Sequence, residues 1–171
     1  MRSPLQIAAS KANGAKSRGP VTEEGKRNSA RNAERHRLLC GTLLAEGEST
    51  DRFDELYNSM LDEFQPETDS ELRLLEAMVA AKWRQLRIWA FDTVNLTQEI
   101  QSQPREIAGK SPAVRASLAF RSLADHTRSL DVLNRYEVRF ERQYHRSLQV
   151  LEMKIARRTA KQRILPNEPN N

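Results

Sequence analysis

Residues 130–155 read LDVLNRYEVRFERQYHRSLQVLEMKI. Leu130, Leu133, Phe140, Tyr144, Leu148, Leu151 and Ile155 recur at steps of three and four with one step of seven. That spacing places them on one face of an α-helix. No Gly or Pro falls between Pro112 and Pro166. Ser111-Pro112 supplies a cap and a proline at the first helical position. The spacing therefore predicts one unbroken helix from there to about Arg163, roughly 75 Å long at 1.5 Å per residue. A helix of that length outruns a compact bundle and needs a long partner.

The partner lies upstream. Thr68, Asp69 or Ser70 opens a second long helix that reaches about Ser102, roughly 50 Å in length. Leu72, Leu75, Val79, Leu86, Ala90 and Val94 form its apolar stripe, with Trp83 beside it. Pro104 and Gly109 mark the loop between the two. A shorter helix spans Thr50 to about Gln65, capped by Ser49 or Thr50 and ended by Pro66. Its stripe is Phe53, Leu56, Tyr57, Met60, Leu61 and Phe64. Upstream again, Thr22 reads as the N-cap of a short helix from Glu23 to about Leu39, with Gly41 as its stop. The fold expected is all-α. It comprises a long antiparallel helical hairpin or coiled coil, a shorter amphipathic helix and a flexible basic N-terminal arm. The organisation reads as an arm over 1–40, a helical domain over 41–165 and a loose tail over 166–171.

Composition agrees. The 171 residues include 6 Gly and 7 Pro, too few for a turn-rich sandwich or barrel. Mean hydropathy is −0.73, and no window carries the ~18 apolar residues of a membrane span. No secretory h-region is present, so a cytoplasmic location is expected. The single Cys excludes an intramolecular disulfide or a Cys-built metal cage. His36 and Cys40 are spaced i, i+4, but no other ligand accompanies them in sequence. No HExxH, Gly-rich phosphate loop or G-x-S-x-G elbow occurs. No catalytic residue, cofactor or metal site is expected.

Charge is segregated. Residues 1–37 carry +6, residues 38–109 carry −8 and residues 110–171 carry +7, for a total of +5. Of the 28 basic side chains 21 are Arg, whose planar fork suits phosphate or carboxylate. Two stretches concentrate them. On the last helix Arg121, Arg128, Arg135 and Arg142 repeat every seventh residue, with Arg139 and Arg146 as i, i+4 neighbours. Such a stripe serves either as a ladder for nucleic-acid phosphates or as a coiled-coil flank paired with Glu71, Glu76, Asp92 or Glu99. The second stretch is the arm, where Lys11, Lys16, Arg18, Lys26, Arg27, Arg31 and Arg35 supply charge among small residues. Between them, Trp83 to Trp89 interleaves aromatic and basic residues. Trp83 and Arg87 have the spacing of a cation–π pair, and core packing of the rings outweighs base stacking there.

The arm also carries a motif. Ser17, Gly19, Pro20, Thr22, Gly25 and Lys26 are followed by Asn32, Ala33 and His36. This resembles the signature Ser-x-Gly-Pro-x-Thr-x-x-Gly-Lys then Asn-Ala-x-x-His, which opens a family of small uncharacterised bacterial proteins. Lys11 to Lys16, Trp83-Arg84, Arg135-Tyr136-Glu137 and Glu141-Arg142 are similar to further parts of that family. Members place Gly-Leu after the His, where this chain has Arg37-Leu38. The resemblance implies a helical bacterial protein without an established activity, loosely associated with mobile-element genes.

Two functions are carried forward. The first is a non-catalytic nucleic-acid-binding protein, for DNA or RNA, whose helices self-associate into a homo-oligomer. The alternative is a coiled-coil scaffold with no nucleic-acid role.

Overall fold

The computed structural model describes residues 22–126 and 128–164. It is all-α, with no strand among the described residues. The helices are α1 (Glu23–Leu43), α2 (Thr50–Phe64), α3 (Asp69–Ser102), α4 (Arg105–Ala108), α5 (Pro112–His126) and α6 (Ser129–Ile164). The chain divides into two units, Met1–Thr42 and Leu43–Asn171. No helix among the described residues is long and apolar enough to cross a membrane.

In the first unit, Thr22 caps α1: its Oγ1 accepts from the Gly25 N–H at 3.1 Å and its carbonyl from the Lys26 N–H. The helix does not stop near Leu39. It continues through Gly41 to Leu43, and Thr42 Oγ1 donates back to the Leu38 carbonyl at 3.0 Å. Glycine stops a helix most readily where its backbone takes the left-handed region, and Gly41 stays helical. The left-handed glycine comes later, at Gly47 (φ 84), inside the 45–48 turn closed by the Glu48 N–H on the Ala45 carbonyl.

The second unit is organised around α3, against which α2, α5 and α6 pack. Ser49 caps α2 by accepting from the Arg52 N–H, and Gln65 in the left-handed region (φ 43) ends it before Pro66. Phe53, Tyr57 and Met60 of the expected stripe are buried. Thr68 and Glu71 form a reciprocal capping box at the start of α3. Glu71 is only 2% exposed. Its Oε2 accepts from the Glu67 N–H at 2.9 Å and from Arg158 Nη1 at 2.6 Å, so a buried carboxylate is matched by a guanidinium of α6. Lys154 Nζ donates to Ser70 Oγ one turn before. Further along, Trp89 Nε1 donates to Glu137, so contacts between α3 and α6 run in opposite chain directions.

Two expectations are corrected here. The apolar stripe of α3 is not one line. Leu75, Met78, Val79, Trp83 and Ile88 are buried, whereas Leu86, Ala90 and Val94 are exposed. The buried face rotates at Trp83, whose ring meets Phe53 edge-on with centroids 5.3 Å apart. The last helix is also broken, into α5 and α6. The break falls between His126 and Ser129, in a stretch without Gly or Pro where Asp125, His126, Thr127 and Ser129 are weak helix formers by sequence. The Arg128 carbonyl accepts the first bond of α6, from the Val132 N–H. At the head of α5, Ser111 receives the Val114 and Arg115 N–H groups, and Pro112 follows it as expected.

Trp83 and Arg87 do not form the anticipated cation–π pair. Both turn to Glu48 instead. Its carboxylate accepts from Trp83 Nε1 at 2.8 Å and from Arg87 Nε at 2.6 Å and Nη2 at 2.8 Å. The Ala45 N–H adds a further bond at 3.0 Å, and Arg87 also reaches the Leu43 carbonyl. The 43–48 segment is thereby held on α3. The Arg87 hydrogen bonds, opposed by burial and aided by Ala45 and Trp83, hold the Glu48 carboxyl down at about 2 from its ordinary 4.5.

Candidate nucleic-acid interface

Successive residues of an α-helix are turned by 100°. On that count Arg135, Arg139, Arg142 and Arg146 fall within about 60° of one another on α6, and Arg128, immediately before the helix, continues the row. All five are exposed. Arg135, Arg139, Arg142 and Arg146 line a groove of about 730 Å³ together with Asn134 and Gln143. Arg128 and Arg135 flank a neighbouring hollow of about 510 Å³ with Asp131 and Asn134.

Among the described residues none of these five arginines forms an ion pair. Among the described residues the one side-chain hydrogen bond they donate is Arg135 Nε to the Asp131 carbonyl at 3.4 Å. Pairing with Glu71, Glu76, Asp92 and Glu99 was one expectation for this stripe. It does not occur among the described residues: Glu71 is taken by Arg158, which lies on another side of α6. Five guanidinium groups thus present their forks outward over roughly 27 Å of helix. Arg121 is separated from the row, because the break puts it on α5.

Lys26, Arg27 and Arg31 are exposed on α1 and Arg35 is half-buried. Lys26 is engaged by Glu23 at 3.0 Å. Arg27, Arg31 and Arg35 follow each other at i, i+4 and i+8 on one face. Of the motif, Thr22 is the cap, Gly25, Lys26, Asn32, Ala33 and His36 lie on α1, and the His36 ring is 3.7 Å from Cys40 Sγ. The motif's second half therefore lies on the helix expected from Glu23 onward. Lys11, Lys16, Ser17, Arg18, Gly19 and Pro20 lie outside the described residues, as do Thr127 and the tail from 165 onward.

One feature was missed in the sequence. Tyr136 sits between Arg135 and Arg139, 45% exposed, and its ring stacks on Phe140 with centroids 5.9 Å apart and planes 22° apart. The signal was present as an i, i+4 aromatic pair adjoining an i, i+4 arginine pair, but the 3/4 apolar rhythm drew Phe140 into the core account alone. The Trp83–Trp89 stretch behaves as the packing argument predicts for Trp83, which is buried. Trp89 is exposed, tied to Glu137 at 2.6 Å and overlain by Lys82 Nζ at 5.0 Å from its centroid.

No family model, curated protein or solved structure matches the chain.

Proposed function

We propose that this chain is a non-catalytic nucleic-acid-binding protein of the cytoplasm. The observation that carries the reading is the row Arg128, Arg135, Arg139, Arg142 and Arg146, exposed on one helix face with no carboxylate partner among the described residues. A protein that leaves five guanidinium groups unneutralised on one line has an electrostatic footprint for a polyanion. The helix would track the phosphate backbone through this ladder, and Lys11, Lys16, Arg18, Lys26, Arg27, Arg31 and Arg35 would add contacts from the N-terminal unit. In this reading α3 and α6 act as an antiparallel hairpin that self-associates.

The rival reading is a coiled-coil scaffold. It is favoured by the exposed Leu86, Phe91 and Val94 on the second half of α3, a face that another helix would cover.

Fluorescence anisotropy of the full chain with labelled DNA and RNA, as duplexes and single strands, separates the two. The five contacts of the row alone give a log–log salt slope of about −3.5 on single strands and −4.5 on duplex, and contacts from the N-terminal unit steepen it. Affinity should then fall by at least about 100- to 500-fold between about 50 and 200 mM salt. Absence of binding at the lower salt leaves the scaffold, whose apolar contacts hardly respond to salt.

A further inference from the structure

Charge alone does not distinguish a duplex from a single strand, but the surroundings of Tyr136 do. The ring adjoins the ladder and, with Val132, Arg135 and Arg139, borders a hollow of about 280 Å³. It is held on its inner side. Phe140 stacks on it, and the Arg84 guanidinium of α3 lies over the Phe140 ring, 5.8 Å from its centroid. Nearly half of the Tyr136 side remains exposed, beside two guanidinium groups that have no carboxylate to neutralise them among the described residues.

An exposed, backed aromatic ring flanked by cations is the arrangement that receives an unpaired base. The base stacks on the ring while its phosphates meet the arginines. Bases in a duplex keep their faces inside their own stack, so the ring adds nothing to duplex binding. The ladder beyond Tyr136 continues to Arg142 and Arg146, so a strand seated on the ring has cations to follow along the helix.

We infer that the ligand class is single-stranded nucleic acid, with Tyr136 as the residue on which one base stacks. This rests on the nucleic-acid reading above and narrows it. The test uses the full chain with a fluorescein-labelled thymidine strand of about 20 nucleotides and a random duplex of about 20 base pairs. Tyr136→Leu weakens strand binding by about 5- to 150-fold, the range for loss of one stacked base, and leaves duplex binding and the salt slope unchanged. Tyr136→Phe, which keeps the ring, stays within about twofold of wild type on the strand. The unchanged duplex affinity of Tyr136→Leu also shows that the variant is folded. Tyr136→Leu binding the strand as wild type does overturns the stacking inference while the phosphate ladder stands. No binding of either probe overturns both.

Discussion

Replacing Arg135, Arg139, Arg142 and Arg146 together by Gln will lower affinity for a single strand by roughly 600-fold at about 0.1 M salt. The figure follows from counterion release. Each phosphate contact contributes a slope of about −0.7 on single strands, so four contribute about −2.8, and a tenfold dilution of salt from 1 M then accounts for the loss. The same variant should show a salt slope shallower by about 2.8, a more specific readout than affinity alone. Its fold should be intact. All four side chains are exposed, none holds a carboxylate among the described residues, and Gln forms helix nearly as well as Arg. Circular dichroism with the binding titration checks both halves of the expectation. An affinity and slope like those of the wild type would assign the binding elsewhere, with the N-terminal unit next in line.

The second large effect concerns stability. Glu48→Ala removes the acceptor shared by Trp83 Nε1, Arg87 Nε and Nη2, and the Ala45 N–H. Arg87 is 23% exposed at its side chain and keeps only the Leu43 carbonyl, so its charge is left largely unmatched away from water. A loss of about 3 kcal/mol is expected, measured by urea unfolding at neutral pH. Acid gives an independent check. The folded carboxyl is held at about 2 against an ordinary 4.5, so its contribution is complete above pH 4.5 and disappears as pH falls from there through 2. The displacement corresponds to at most about 3 kcal/mol, and about 2 kcal/mol after allowing for a side chain one-fifth exposed. The stability gap between wild type and Glu48→Gln should therefore narrow as pH is lowered across that window. A gap that stays constant from pH 5 to pH 2.5 would mean that the carboxylate charge is not what holds the 43–48 segment.

Much of the fold is legible in the sequence because it is written locally. The stripe of α2, the caps at Thr22, Ser49, Thr68 and Ser111, and the stop before Pro66 all depend on residues a few positions apart. What depends on distant partners is not legible in this way. Glu48 finds Trp83 and Arg87 across 35 and 39 positions, and Glu71 finds Arg158 across 87. The turning of the α3 face at Trp83 is of the same kind, since the ring follows Phe53 of α2 rather than the period of its own helix. The break between α5 and α6 was half-legible. Asp125, Thr127 and Ser129 are residues whose side chains compete for backbone groups, but without Gly or Pro the rhythm on either side outweighed them.

The interface divides along the same line. Positions of the arginines on one face follow from spacing alone, so the row from Arg128 to Arg146 is legible in the sequence. Whether those charges are spoken for is a tertiary matter. The acids of α3 offered a plausible match by composition, and only packing shows Arg158, not the row, in contact with Glu71. The exposure of Tyr136 likewise follows from how α6 is turned toward α3.

Arginine reactivity toward phenylglyoxal, mapped by mass spectrometry on the full chain with and without a saturating single strand, tests the central claim most directly. Arg128, Arg135, Arg139, Arg142 and Arg146 should be modified in the free protein and protected in the complex, while Arg73, exposed on α3 and paired with Asp69, should react equally in both. Protection confined to other arginines, with the five of the row equally reactive when the strand is bound, would contradict the account.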